Sequence, residues 1–244
     1  MVSDAVLSLD ATLRSGRGVE TRPGTGGRTG AVQRWPTVTI DVFDDPADTR
    51  EEILAATYHS LRDHGYAGLT IQTIGEKLDR SPSLIYHHYE DKDALVLACL
   101  EYLLEYFQDE LGQGSVDEPR ARLEELLEWW FAMDQEEEWG AFVTTILELR
   151  SQAVHDPAYR EHFTRSDRLF SESITAVLQA GIDDGAFREC DPEAVAETLQ
   201  TTVLGTVLRR SSTEGDDWLG GVHDELNNYL RTRVYATEND SVRE

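Results

Sequence analysis

The chain has 244 residues, 47 of them Asp or Glu against 22 Lys or Arg, with two Cys, 40% apolar residues and a formal net charge of −25. That length and composition build one or two compact domains with a sizeable core, while two cysteines exclude both a disulfide framework and a four-cysteine zinc site. The longest uninterrupted apolar run, Ala94 to Leu100, is seven residues where a membrane span needs about 20, and the opening Met-Val-Ser-Asp-Ala-Val lacks the basic start of a secretory signal, so a cytoplasmic protein with no membrane partner is expected.

Twenty of the basic residues are Arg and only two, Lys77 and Lys92, are Lys. A surplus of carboxylates with so few lysines fits a cytoplasm rich in salt, where a Debye length of about 3 Å or less mutes self-repulsion. The rival use of acidity, a surface for one basic partner, would concentrate the charge. Instead residues 46–111 carry five basic and thirteen acidic groups, and residues 112–244 carry twelve and twenty-eight.

Residues 1–45 are rich in Gly, Thr, Arg and Ser around Gly24-Thr25-Gly26-Gly27 and show no apolar period, which predicts a flexible, disordered arm. Between residues 11 and 40 it holds five Arg and one acid, Glu20. Such a basic arm either follows a DNA minor groove or is a dispensable tail from an early start codon. Val38 to Phe43 reads as a strand in isolation, without an evident partner strand.

Helical punctuation begins at Asp48. Thr49 and Glu52 fit a capping box, Ile53, Leu54, Thr57, Tyr58 and Leu61 form one apolar stripe, and Gly65 stops the helix. Thr70 caps a second, short helix, Ile71 to Leu78. Asp79 and Arg80 turn the chain, and Ser81 caps a third helix that starts at Pro82 and ends near His88. Asp91 caps a fourth, running to about Leu111 with Leu95, Cys99, Tyr102 and Tyr106 at helical spacing, and Gly112 to Gly114 ends it. Five more amphipathic segments follow: Pro119 to Met133, Glu136 to Ala153, Pro157 to Gly181, Pro192 to Arg210 and Asp217 to Ala236. The fold class is all-α, with about nine helices in two parts: an N-terminal three-helix domain with its linking fourth helix over 46–111, and a C-terminal helical domain over 112–244.

A short helix, a three-residue turn and a second short helix between longer buttressing helices is the geometry that lays a recognition helix in the DNA major groove. Here that helix is Pro82 to His88, with Ser83, Tyr86, His87 and His88 able to reach phosphates or base edges. The rings of Tyr86 and Tyr89 have an alternative use in packing the core between helices one, three and four.

The runs Gly65-Tyr66-Ala67-Gly68-Leu69-Thr70-Ile71-Gln72-Thr73-Ile74-Gly75, Ser81-Pro82-Ser83-Leu84-Ile85-Tyr86-His87-His88-Tyr89 and Lys92-Asp93-Ala94-Leu95 resemble the signature of the tetracycline-repressor (TetR) family. The resemblance spans about Thr49 to Leu111. It implies a ligand-responsive repressor binding double-stranded operator DNA as a homodimer, with the effector in the C-terminal domain and two recognition helices moved apart when it binds. On this resemblance Thr70 contacts phosphate at the start of the second helix, Ser83, Tyr86 and His88 touch the DNA backbone, Lys92 pairs with a phosphate, and Leu84 and His87 face base edges; Thr73 and Ser81 belong to the same DNA-facing set. The sequence departs from the pattern in its acids: Glu76, Asp79, Glu90, Asp91 and Asp93 surround the motif, and residues 46–111 are net −8. That field opposes a polyanion in dilute salt, so specific binding is expected to rest on base contacts, fit and trapped water.

In the C-terminal part, Trp129, Trp130, Met133, Phe142 and Ile146 are the candidate lining of an effector cavity suited to a hydrophobic compound, packed core being the other use of the same residues. His155, Glu161 and His162 are read as solvated surface rather than metal ligands, because neighbours on a helix point about 100° apart, and Cys99 and Cys190 as small apolar residues. Leu199, Val203 and Val207 with Thr202, Gly205 and Thr206 make one stripe and Leu219, Val222, Leu226, Leu230 and Val234 another. Together they predict homodimerisation through the last two helices, closing the chain's own core being the alternative. No phosphate loop, nucleophile elbow or cofactor motif is present, so neither an enzyme nor a cofactor is expected. The remaining alternative is a ligand-binding or adaptor protein whose helix-turn-helix no longer binds DNA.

Overall fold

A computed structural model describes residues 41–78, 82–112, 116–131 and 137–237. Among these residues there are nine α-helices and no strand, apart from an isolated bridge between Phe187 and Tyr235. The basic arm, the turn at Asp79 and Arg80, and the capping residue Ser81 lie outside the described residues. Where a strand was expected, Asp41–Phe43 forms a single 3-10 turn. Phe43 there is 3% exposed and its ring stacks on Tyr58 at 4.8 Å and tilts against Tyr102 at 5.6 Å. The last residues assigned to the arm therefore contribute to the core, because a large apolar ring gains more by burial than a short isolated strand gains by pairing with nothing.

Helix α1 spans Thr49–Gly68. Its cap is Asp48, one residue before the expected Thr49: the extended Asp48 accepts the Glu51 N–H on its carboxylate at 2.9 Å, and Glu51 reaches back to the Ala47 N–H at 2.7 Å. A carboxylate at this position satisfies an orphan amide and faces the positive end of the helix dipole, both of which favour Asp. Gly65, at φ 65° and ψ 173°, takes the chain out of helical geometry as expected, although helical bonding resumes up to Gly68. Ile53, Leu54, Tyr58 and Leu61 are all buried, packing α1 against α2 (Ile71–Leu78), α4 (Lys92–Gly112) and α6 (Glu137–Gln152). Ile74 of α2 and Ile85 of α3 (Pro82–His88) are fully buried in the same core. A seven-residue helix is too short to be stable alone, so α3 owes its existence to that single buried isoleucine and its neighbours.

The C-terminal part is arranged around α7 (Pro157–Asp183), which packs against α4, α5 (Pro119–Phe131), α6 and α8 (Pro192–Ser212). Asp156 and Asp191 cap α7 and α8, each with Pro in the first turn. Gly181, the expected last residue of α7, lies inside it and allows a close approach: a Cβ there would lie 2.1 Å from Phe187 Cδ2. The Phe187 ring stacks on Tyr235 beyond α9 (Leu219–Tyr229) and its π-helical last turn Leu230–Val234, and the Arg120 guanidinium covers the same tyrosine at 4.3 Å. None of the described helices is long and apolar enough to cross a membrane.

The two stripes assigned to a dimer interface need correction. Leu199, Val203, Thr206 and Val207 are buried within the chain itself, as are Leu226, Leu230 and Val234. The face of α8 left in solvent holds Thr198, Thr201, Gly205 and Leu208, the last 54% exposed.

Truncating Phe43 to Ala is expected to cost about 3 kcal/mol of unfolding free energy, the usual loss for a buried ring. Urea titration in concentrated KCl measures it, and an unchanged midpoint would show that the core begins only at α1.

Candidate nucleic-acid interface and ligand cavity

Helix α3 divides its residues sharply. Ile85 is 0% exposed while Tyr86, one position on, is 60% exposed, with Ser83, His87 and His88 also at the surface. The choice for Tyr86 between core and surface is thus settled for surface. Tyr89 packs instead, half-buried with its hydroxyl enclosed. Leu84 is half-buried against the core, so it offers an edge and not a whole side chain to a partner. At the start of α2, Thr70 and Thr73 form a closed pair: the Thr73 N–H donates to Thr70 Oγ1 at 3.1 Å and the Thr70 N–H donates to Thr73 Oγ1 at 3.0 Å. Thr70 stays exposed at this helix N-terminus, where the dipole favours an anion.

Lys92 is anchored rather than splayed. Its Nζ donates to the Tyr66 carbonyl at 3.2 Å and sits 3.9 Å from the Tyr66 ring centre. An ammonium has three donors, so this leaves two for another acceptor. Tyr66 in turn donates its hydroxyl to Asp93 at 2.6 Å and meets Tyr159 of α7 edge to face at 6.2 Å. Burial, then the Asp93 carboxylate, pushes the Tyr66 hydroxyl up to about 12, so it remains a donor. These groups tie the end of α1 and the start of α4 to the C-terminal part. A second tie lies further along α4. His162 of α7, 3% exposed, bonds Glu101 through Nδ1 at 2.8 Å, and Arg165 closes on the same carboxylate. His162 is therefore buried and not solvated surface as expected, because its partner approaches from a helix 61 residues away. Burial, only partly offset by Glu101, holds His162 below its ordinary value. Burial of Glu101 works the other way, yet its bonds to Arg165 and His162 hold it below the ordinary carboxylate range.

Between α4, α5, α6, α7 and α8 lies a cavity of ≈ 120 Å³. Of the expected lining, Phe142 and Ile146 are there; the Trp129 and Trp130 side chains and all of Met133 lie outside what is described. Phe107, Phe163 and Phe170 join Phe142, and the aliphatic wall comes from residues such as Leu103, Leu123 and Val203. The polar groups at its edge are Arg150, His162, Ser166, Asp167, Ser173 and Gln200. Arg150 holds Asp167 through both oxygens, at 2.9 and 2.5 Å, and lies 5.1 Å from the Phe163 ring centre. Sequence spacing gives no sign of these pairs, which join different helices. Cys99 is 1% exposed and burial pushes its thiol up to about 12, which makes it a small apolar residue and no sensor.

Residues 53–99 match the family model for bacterial regulatory proteins of the tetR family, and residues 119–232 the model for the C-terminal domain of BetI-type transcriptional repressors. The HTH-type transcriptional repressor AcnR of Corynebacterium glutamicum is 28% identical over 201 residues, 80% of this chain and 100% of the relative. A TetR transcription regulator from Haloarcula marismortui is 34% identical with a TM-score of 0.68, the match covering 76% of this chain and 97% of that one. A transcriptional regulator from Saccharomonospora viridis in complex with choline shares the fold, with a TM-score of 0.63 at 20% identity over 77% of this chain and 98% of that one.

Because His162 binds its proton more weakly folded than unfolded, the unfolded chain takes up more protons as pH falls through about 6.5, and stability drops there. Glu101, also depressed, adds to the loss as pH falls further through the carboxylate range. His162→Gln is expected to flatten the first part of this decline, measured as melting temperature between pH 7.5 and 5 at fixed KCl.

Proposed function

The chain belongs to the TetR family of transcriptional regulators, and from that membership we propose a repressor whose homodimer holds an operator until a mainly apolar small molecule enters the cavity. DNA binding and transcriptional regulation come with the family. The observation that carries the assignment to this chain's own residues is α3: a buried Ile85 beneath an exposed Tyr86, Ser83, His87 and His88 presents hydrogen-bonding groups on a rigid, outward surface. Thr70 and Thr73 at the start of α2, Ser81 before α3 and Lys92 at the start of α4 complete the set, with Lys92 held in place by Tyr66. The Leu84 edge and His87 are the base-reading candidates. The chain works in the cytoplasm, where that DNA is.

Dimerisation is assigned to the last two helices, through the outward face of α8. Thr198, Thr201 and Gly205 let a second helix approach closely, and a Cβ on Gly205 would meet open space. Leu208 supplies the exposed apolar group that such a contact buries. The effector reading rests on the cavity's phenylalanines and aliphatic wall. A second reading, a quaternary ammonium of the choline type bound by the Saccharomonospora neighbour, is favoured by the same ring faces.

Selective binding of the chain's own upstream DNA over a scrambled duplex in about 2 M KCl, where the Debye length is below about 3 Å, tests the function. Tyr86→Ala and Lys92→Ala are each expected to abolish the selectivity, Tyr86→Ala without lowering the melting temperature. No selectivity at any salt would favour an adaptor. The salt slope is expected to be shallow, since few phosphates are neutralised by a motif of net −8; the slope of an ordinary basic repressor would contradict this. Leu208→Glu is expected to give a monomer by light scattering and to lose operator binding.

A further inference from the structure

Taking the cavity as the effector site, we infer that its effector is a small uncharged molecule of about one ring whose single O–H or N–H donates to Gln200 Oε1. Gln200 projects from α8 towards α7, and its Nε2 donates to the Asp167 carbonyl at 3.1 Å. That bond fixes the orientation of the amide, because a carbonyl accepts only from the nitrogen end. Oε1 is therefore the end left over. It is fully buried, takes no hydrogen bond from the described residues, and belongs to a residue that lines the cavity. A buried acceptor without a donor is more costly than an ordinary hydrogen bond is helpful, so a ligand that brings a donor gains twice: it makes a bond and relieves an unmet one.

The same wall argues against a charged effector. Arg150 and Asp167 face each other in a two-pronged pair, each satisfying the other. A carboxylate entering here meets an arginine already engaged, and an ammonium meets an aspartate already neutralised. Either gives up its water for no free counter-charge. Size sets the remaining limit. An apolar cavity of about 150 Å³ is known to take a benzene ring, and this one is ≈ 120 Å³. Phe107 already packs on Phe170 and Phe142, with ring centres 5.9 and 6.3 Å apart, so these rings form one aromatic wall against which a single ring can lie.

Calorimetry on the full-length dimer with phenol, toluene, anisole, benzoate and choline tests this. Phenol and toluene have nearly the same shape, and anisole carries the oxygen without the donor. Phenol is expected to bind at least as tightly as toluene and anisole although its hydroxyl is better hydrated, and benzoate and choline are expected to bind more weakly than phenol. In Gln200→Leu, phenol is expected to weaken about tenfold while toluene does not, the effect of losing one buried hydrogen bond. Toluene or anisole binding more tightly than phenol overturns the donor assignment but leaves the cavity as an apolar effector site. Benzoate or choline binding best overturns the uncharged effector. Binding of none of the five removes the effector reading of the cavity and the inference with it. If Gln200→Leu does not fold, the phenol, anisole and toluene comparison on the native chain still decides.

Discussion

The 21 residues of α4 form one unbroken helix, about 30 Å long at 1.5 Å per residue, and the rest of the molecule depends on that rod. Its first turn carries Lys92 and Asp93, which hold Tyr66 at the end of α1. Its middle carries Glu101, held by His162 and Arg165 of α7. Leu100 and, in its far half, Leu103, Phe107 and Leu111 line the cavity. A continuous hydrogen-bonded helix does not absorb displacement locally unless it kinks, and no proline or internal glycine weakens this one. Any ligand that shifts the cavity end of α4 therefore shifts the end that carries the recognition helix. α3 has no independent stability with which to resist.

The two ties along α4 differ in chemistry, and the difference matters for coupling. The Tyr66 cluster joins the Lys92 ammonium and the Asp93 carboxylate through an aromatic ring whose hydroxyl burial keeps protonated, so the tyrosine stays a donor there. The Glu101 cluster is ionic, and one of its partners, His162, also lines the cavity. A ligand touching His162 acts on a residue bonded directly to α4. Arg165 supplies the charged partner of the Glu101 carboxylate, whereas His162, held below its ordinary value, meets it as a buried hydrogen bond whose loss would leave a polar group unsatisfied.

The element order and most helix bounds were legible in the sequence because caps, prolines and apolar periods act locally. Asp91, Asp156 and Asp191 sit where helices start, and Ile53 to Leu61 form the buried stripe their spacing predicts. The candidate DNA-facing residues came from a compact motif, and Ser83, Tyr86, His87 and His88 of that set lie at the surface. What spacing did not reveal depends on contacts between distant helices. Phe43 looked like part of an arm because its partners, Tyr58 and Tyr102, lie in two other helices. His162 looked exposed because Glu101 is 61 residues away. Leu199, Val203 and Val207 looked like an interface because an apolar stripe does not state which surface buries it; α7 does so here. Gln200 and the Arg150 and Asp167 pair carry no motif at all.

The most direct test of α4 as the link between cavity and DNA is the distance between the two recognition helices of the dimer. A Cys190→Ser, Glu90→Cys chain, spin-labelled at an exposed residue just past α3 and outside the DNA-facing set, reports it by pulsed electron resonance in concentrated KCl. The account predicts a population near the spacing of one DNA turn, about 34 Å for the helices themselves, with operator bound, and a displaced population when a cavity ligand releases the operator. Ligand-driven release with an unchanged distance distribution would contradict it.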